Sequence, residues 1–250
     1  MSFNFSPRVV RDGLILYVDA ANSVCYINPN TTLDDLVSDD IGQINTVTYN
    51  SNNLGVFYFD GSSSDNNISL SERVPLLTLT QSSIDIWINP SITTNLGPIF
   101  ATSIVTPNTA YYGLHLQLLN LVGNKFNILI SSGNGLGAGY QYRKSLGTTN
   151  APLTADVWNH IVVTCSAPNL QNPVFQIYVN GVLQLGVTLS GTGIDLNWGN
   201  SVGAKTTIGR LWLDGLKLTG YISNAKMYNK ILSQNEVLQN FNALKNRFNL

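Results

Sequence analysis

Charge is what this chain has least of. Asp, Glu, Lys and Arg make up 11 % of its 250 residues, against roughly 25 % in an average soluble domain. With a net charge of -1, there is no basic footprint for nucleic acid and no cationic patch for an anionic membrane. Glutamate occurs only as Glu72 and Glu236, and Asp85 has no acidic neighbour at i+2 or i+5. Glycoside hydrolysis needs two carboxyl groups flanking the bond, so a glycosidase is the distant reading and a non-enzymatic role is expected. Histidine is limited to His115 and His160, and cysteine to Cys25 and Cys165. That is too few for a zinc site or a disulfide framework, and the thiols are read as ordinary buried cysteines. No apolar run approaches the ~18 residues that span a bilayer. The segment Met1 to Pro7 has neither the basic nor the apolar stretch of a secretory signal.

What is present is alternation. Phe175, Ile177 and Val179 point one way and Gln176 and Tyr178 the other, and the run ends at Asn180-Gly181. That dipeptide supplies the two positive φ angles of a type I′ hairpin turn. Ile84, Ile86 and Ile88 alternate with Asp85 and Trp87, and Pro90 ends the strand because it has no N–H for the ladder. Further short strands are expected at 13–19, 56–61, 68–70, 98–103, 113–119, 125–131, 139–143, 206–213 and 218–228, with residues 28–55 rich in turns. Short strands at this spacing predict an all-β, two-sheet antiparallel jelly-roll sandwich. The only convincing helix spans 233–248. Ser233 and Glu236 form a capping box, and Val237, Leu238, Phe241, Leu244 and Phe248 fall on one stripe. Residues 1–12 read as an N-terminal arm interrupted by Pro7, Arg8, Arg11 and Asp12, and 13–250 as one domain including the helix.

Four segments carry a family resemblance: Phe57 to Gly61, Ile84 to Ile88, Trp158 to Gly181 and Gly220 to Ser233, together with the opening Gly13 to Asn22. Their order resembles the concanavalin A-like jelly roll in its laminin-G-like branch, of the kind found in structural proteins of tailed bacteriophages. The resemblance implies a virion protein, displayed on the capsid as decoration or on a tail or fibre, assembled in the host cytoplasm and exposed on the virion surface. Its implied partners are other virion proteins and further copies of itself, with a trimer expected. The alternative is a lectin-like module that binds cell-surface glycan. The chain departs from the family pattern at Leu33 to Asp40 and at Ser223-Asn224, both of which weaken transfer of a calcium site.

Candidate ligand residues follow from chemistry. Aromatic rings offer sugars an apolar face and a polar tip, which singles out Trp198 in a Gly/Asn-rich loop, and Tyr140 and Tyr142 on one strand face. Sheet packing is the other reading of the two tyrosines. Asp85 beside Trp87 marks either a ligand-facing groove or an outer-face polar residue satisfied by its neighbours. No cofactor is implied beyond calcium, for which Asp60, Asp65 and Asn67 form the best oxygen-rich cluster. Asp and Asn are equally the residues that turns prefer.

Overall fold

The computed structural model describes residues 8–63, 65–70, 80–93, 97–103, 105–106, 110–134, 143–166, 173–190, 205–210 and 217–250. Two antiparallel sheets pack face to face, as expected of a jelly-roll sandwich. The first runs in the order Val182–Leu183, Val174–Val179, Asn159–Ser166, Gln81–Pro90, Thr219–Tyr228, Val56–Asp60 and Thr48–Asn50. Leu14–Asp19 pairs with the other half of Thr219–Tyr228. The second runs Val187–Ser190, Arg143–Thr148, Lys125–Asn134, Ala110–Val122, Pro98–Ser103, Lys205–Ile208, Asn67–Leu70, Ile41–Asn45 and Thr32–Asp34.

The core lies between the sheets because each strand turns every second side chain inward. Ile84, Ile86 and Ile88 from the first sheet enter one cluster with Leu114, Leu116, Leu118, Phe126, Ile128 and Ile130 from the second. Cys25 and Cys165 are buried in the same cluster and are not joined by a disulfide. The Asn180-Gly181 turn has φ of 50° and 81° and joins Val179 directly to its partner Val182, the geometry that type I′ requires. Asn180 does further work, since its Oδ1 accepts the His160 N–H at 2.8 Å.

The helix α1 (Gln234–Leu244) starts at Ser233 with both halves of the capping box formed, and a 3-10 turn (Lys245–Phe248) completes the expected span. It lies on the outer face of the first sheet, so residues 82–88 of Gln81–Pro90 are buried on both faces. The stripe is not wholly apolar. Leu238 is 43 % exposed, while Asn240 is fully buried against the sheet.

The described part of the expected arm, residues 8–12, packs back onto the domain. Val10 is buried, its N–H donates to Asn240 Oδ1 at 2.7 Å, and its carbonyl accepts the Tyr228 hydroxyl at 3.2 Å. The turn-rich stretch also holds three short strands, Thr32–Asp34, Ile41–Asn45 and Thr48–Asn50. Thr32–Asp34 and Thr48–Asn50 are edge strands of three residues each, too short for alternation to show, and Ile41–Asn45 lies next to the first of them. Among the described residues no helix is long and apolar enough to cross a membrane.

Candidate functional site

Asp85 and Trp87 do face away from the inter-sheet core, yet α1 seals them and both are 0 % exposed. No ligand groove opens there. Cross-strand register sets Tyr178, Val162, Asp85, Lys226 and Tyr17 in one row. Lys226 Nζ donates to Asp85 Oδ1 at 2.8 Å and to Asn224 Oδ1 at 2.7 Å, and Asn240 Nδ2 donates to Asp85 Oδ2 at 2.8 Å. Burial pushes the Asp85 carboxyl up, but the Lys226 ammonium, with His160 beside it, outweighs that and holds the group well below the usual carboxylate range. His160 Nε2 stands 3.1 Å from Asp85 Oδ2, but neither ring nitrogen is aligned for a hydrogen bond. Trp87 stacks on His160, Phe241 and Phe248, with ring centroids 5.0, 5.7 and 4.5 Å apart. This is the seam that fastens helix to sheet.

The outer face of the second sheet is organised differently. Register aligns Gln43, Ser69, Thr207, Ala101, His115 and Ser131 across six strands, all on the side opposite the core leucines. At one end of this row a groove of about 660 Å³ opens, lined by Gln43, Asn45, Asp65, Asn67, Ser69, Thr207 and Arg210 among others. Asn45 Nδ2 donates to Asn67 Oδ1 at 3.2 Å and to Ser69 Oγ at 3.4 Å, which fixes an amide ladder across neighbouring strands. Gln43 Nε2 donates to Thr31 O at 2.8 Å, and Thr207 Oγ1 donates to the Arg210 carbonyl at 2.9 Å. Arg210 reaches Asp65 across 3.4 Å at the rim. The lining thus presents amides and hydroxyls in rigid positions, with one ion pair at its margin. Such a surface suits a neutral polyhydroxylated ligand, whose hydroxyls both donate and accept.

Of the expected calcium cluster, Asp65 and Asn67 share the groove, where Arg210 Nη1 stands 3.4 Å from Asp65 Oδ1. Asp60 Oδ1 closes its own turn by accepting the N–H and hydroxyl of Ser62, which lowers its pKa. Among the described residues no group of three His, Cys, Asp or Glu can hold a metal ion. Trp198, Tyr140 and Tyr142 lie outside the described residues. Gln43, Asn45, Ser69, Thr207 and Arg210 carried no sequence signal, because they come from three separate segments that only the strand register unites.

A family model described as the concanavalin A-like lectin/glucanases superfamily matches residues 62–238. None of the curated proteins compared with the sequence matches it. Among solved structures, the receptor-binding domain of botulinum neurotoxin type G superposes with TM-score 0.59 at 15 % identity, over 92 % of this chain and 51 % of that one. Domain 4 of an extracellular GH43 arabinanase from Geobacillus stearothermophilus, solved with arabinotriose, gives 0.58 at 17 %, over 90 % and 96 %. A Trypanosoma rangeli sialidase gives 0.61 at 14 %, over 99 % and 36 %. The chain therefore spans about half of the neurotoxin domain, and identities this low speak for the fold alone. By its family match and its paired sheets, the chain belongs to the concanavalin A-like lectin/glucanases superfamily, in the laminin-G-like branch.

Proposed function

We propose that the protein is a non-catalytic carbohydrate-binding module, using the amide-lined groove on the second sheet. The observation that carries this is the preset ladder Gln43–Ser69 and Asn45–Asn67 in an open cleft of about 660 Å³. Support comes from the arabinanase domain of matching size that was solved with arabinotriose. Asp85 on the first sheet is sealed and salt-bridged, and Glu236 is committed to the helix cap and Lys230. Neither is placed to act on a glycosidic bond. Titration with arabinotriose and a glycan array is the test, with affinity expected on the order of millimolar to micromolar. Binding should weaken in Gln43→Ala and Asn45→Ala. A blank array at high protein concentration, or release of reducing sugar from a polysaccharide panel, would overturn the reading. Trp198→Ala tests whether that loop contributes.

The setting we propose is the surface of a phage particle, following the resemblance of the opening and closing segments, with the chain assembled as a homo-oligomer. One feature favours self-association. Val174, Val182 and Leu185 are 60, 62 and 84 % exposed along the edge of the first sheet, where an unpaired strand invites a partner. Light scattering should give a trimer mass that falls in Leu185→Lys. A stable monomer that does not attach to particles would count against the setting while leaving the binding reading intact.

A further inference from the structure

Away from the groove, on the outer face of the first sheet and beyond the helix, a smaller pocket of about 240 Å³ is lined by Tyr58, Asn89, Ser91, Asp156, Gly220 and Tyr221. Register builds it: Tyr58 pairs with Tyr221, and Tyr221 pairs with Asn89, so three side chains stand in one row. The two rings lie 4.9 Å apart, tilted by 40°, and both are half-buried.

The floor is rigid. Gly220 adopts φ +138°, and a Cβ there would run into Asn89 O and stand 2.9 Å from Pro90 Cα. Asp156 occupies the left-handed region at φ 58°. It is fixed there by its N–H to Pro90 O at 2.8 Å and by Oδ1 accepting the Ile92 N–H at 3.2 Å. Among the described residues nothing hydrogen-bonds the Asn89 side chain, the Tyr58 or Tyr221 hydroxyls, or the second Asp156 oxygen.

We infer that this pocket is a second saccharide site, independent of the groove, that takes one neutral pyranose ring. The tyrosine pair supplies an apolar wall for the C–H face of the sugar. The Asn89 amide and the Asp156 carboxylate supply a donor-and-acceptor pair for adjacent hydroxyls. Among the described residues no basic side chain lines the pocket and its one charge is negative, so phosphates, sulfates and sialic acids are disfavoured. Its lining thus differs in kind from the groove, which has Arg210 at its rim and, among the described residues, no aromatic side chain.

The test is an NMR titration of the isotope-labelled protein with the methyl α-pyranosides of glucose, galactose and mannose, one at a time. The Asn89 side-chain amide signal is assigned by its loss in Asn89→Ala. A saturable shift of that signal with at least one glycoside is expected. Asp156→Asn keeps the turn and the bond to Ile92, and should weaken binding about tenfold, equivalent to about 1.4 kcal/mol. Gln43→Ala in the groove should leave the titration unchanged. Absence of a saturable shift with all three glycosides would overturn the inference. So would a shift indifferent to Asp156→Asn, one abolished by Gln43→Ala, or a stronger response to sialyllactose. A blank arabinotriose titration with a positive Asn89 shift would sink the groove reading and spare this one.

Discussion

The two outer faces of the sandwich are both polar and serve opposite ends. On the first sheet, Asp85, Lys226 and Asn224 are 0 to 1 % exposed under the helix and hydrogen-bond through the Lys226 ammonium, with the buried His160 ring beside Asp85. On the second, Gln43, Asn45 and Ser69 stand open in a groove. Polarity at an outward strand position therefore does not by itself mark a binding surface. What decides is whether another element covers it, since a covered charge must find partners within the protein.

The sharpest way to break this contrast is Lys226→Met. It leaves Asp85 buried without its cation and should cost about 3–5 kcal/mol in guanidinium unfolding, while Asp85→Leu with Lys226→Met should recover most of the loss. Phe248→Ala removes the ring stacked on Trp87 and on Trp158 at 4.4 Å, at a cost of roughly 3 kcal/mol. Both variants should leave the groove's sugar affinity unchanged, and a change in it would show that the faces are coupled.

The pH response of stability comes next and belongs to the covered half. Asp85 is depressed in the folded state, so its contribution is complete above the ordinary carboxylate pKa of about 3.9 and is lost as pH falls through the folded value. Cys25 is pushed up to about 12 by burial, and burial also raises Tyr17 and Tyr228. Their contribution is complete below the ordinary thiol and phenol values, about 8.5 and 10, and is lost as pH rises through the folded ones. Melting temperature across pH should fall at both extremes, and a flat alkaline limb would contradict the burial of Tyr228. The smallest effect is on the open half: Gln43→Ala and Asn45→Ala should move stability by no more than about 0.5 kcal/mol.

Local rules were legible wherever one short segment sufficed. Asn180-Gly181 carries its own turn, Ser233 and Glu236 their own cap, and Ile84, Ile86 and Ile88 their own face. The covering of Asp85 and Trp87 was not legible, because alternation reports that two faces differ and not what lies against the second one. Asn240 looks like any solvated helix residue, and its three-way role appears only once Val10, Asp85 and Tyr228 are brought around it. The groove was half visible. Asp65 and Asn67 stood out as an oxygen-rich turn, whereas Arg210 lies 145 residues from Asp65, and no local pattern joins them.

The long reach of Asn240 has a consequence in time. Its partners Val10 and Asp85 precede it by 230 and 155 residues. Arg247, which binds Asp19 Oδ1 at 2.9 Å, lies 228 residues beyond that partner. Contacts of such span form slowly, because the chain must order most of itself before they reward it. While the polypeptide is being made, the strand bearing Asp85 and Trp87 exists long before Lys226 neutralises it or α1 shields it. Any sheet that pairs Gln81–Pro90 with Asn159–Ser166 before Thr219–Tyr228 joins it would carry an indole and a lone carboxylate facing outward, and partly formed β structure of that kind is prone to aggregate. The helix thus acts as a latch whose closing marks the moment the domain becomes safe to release.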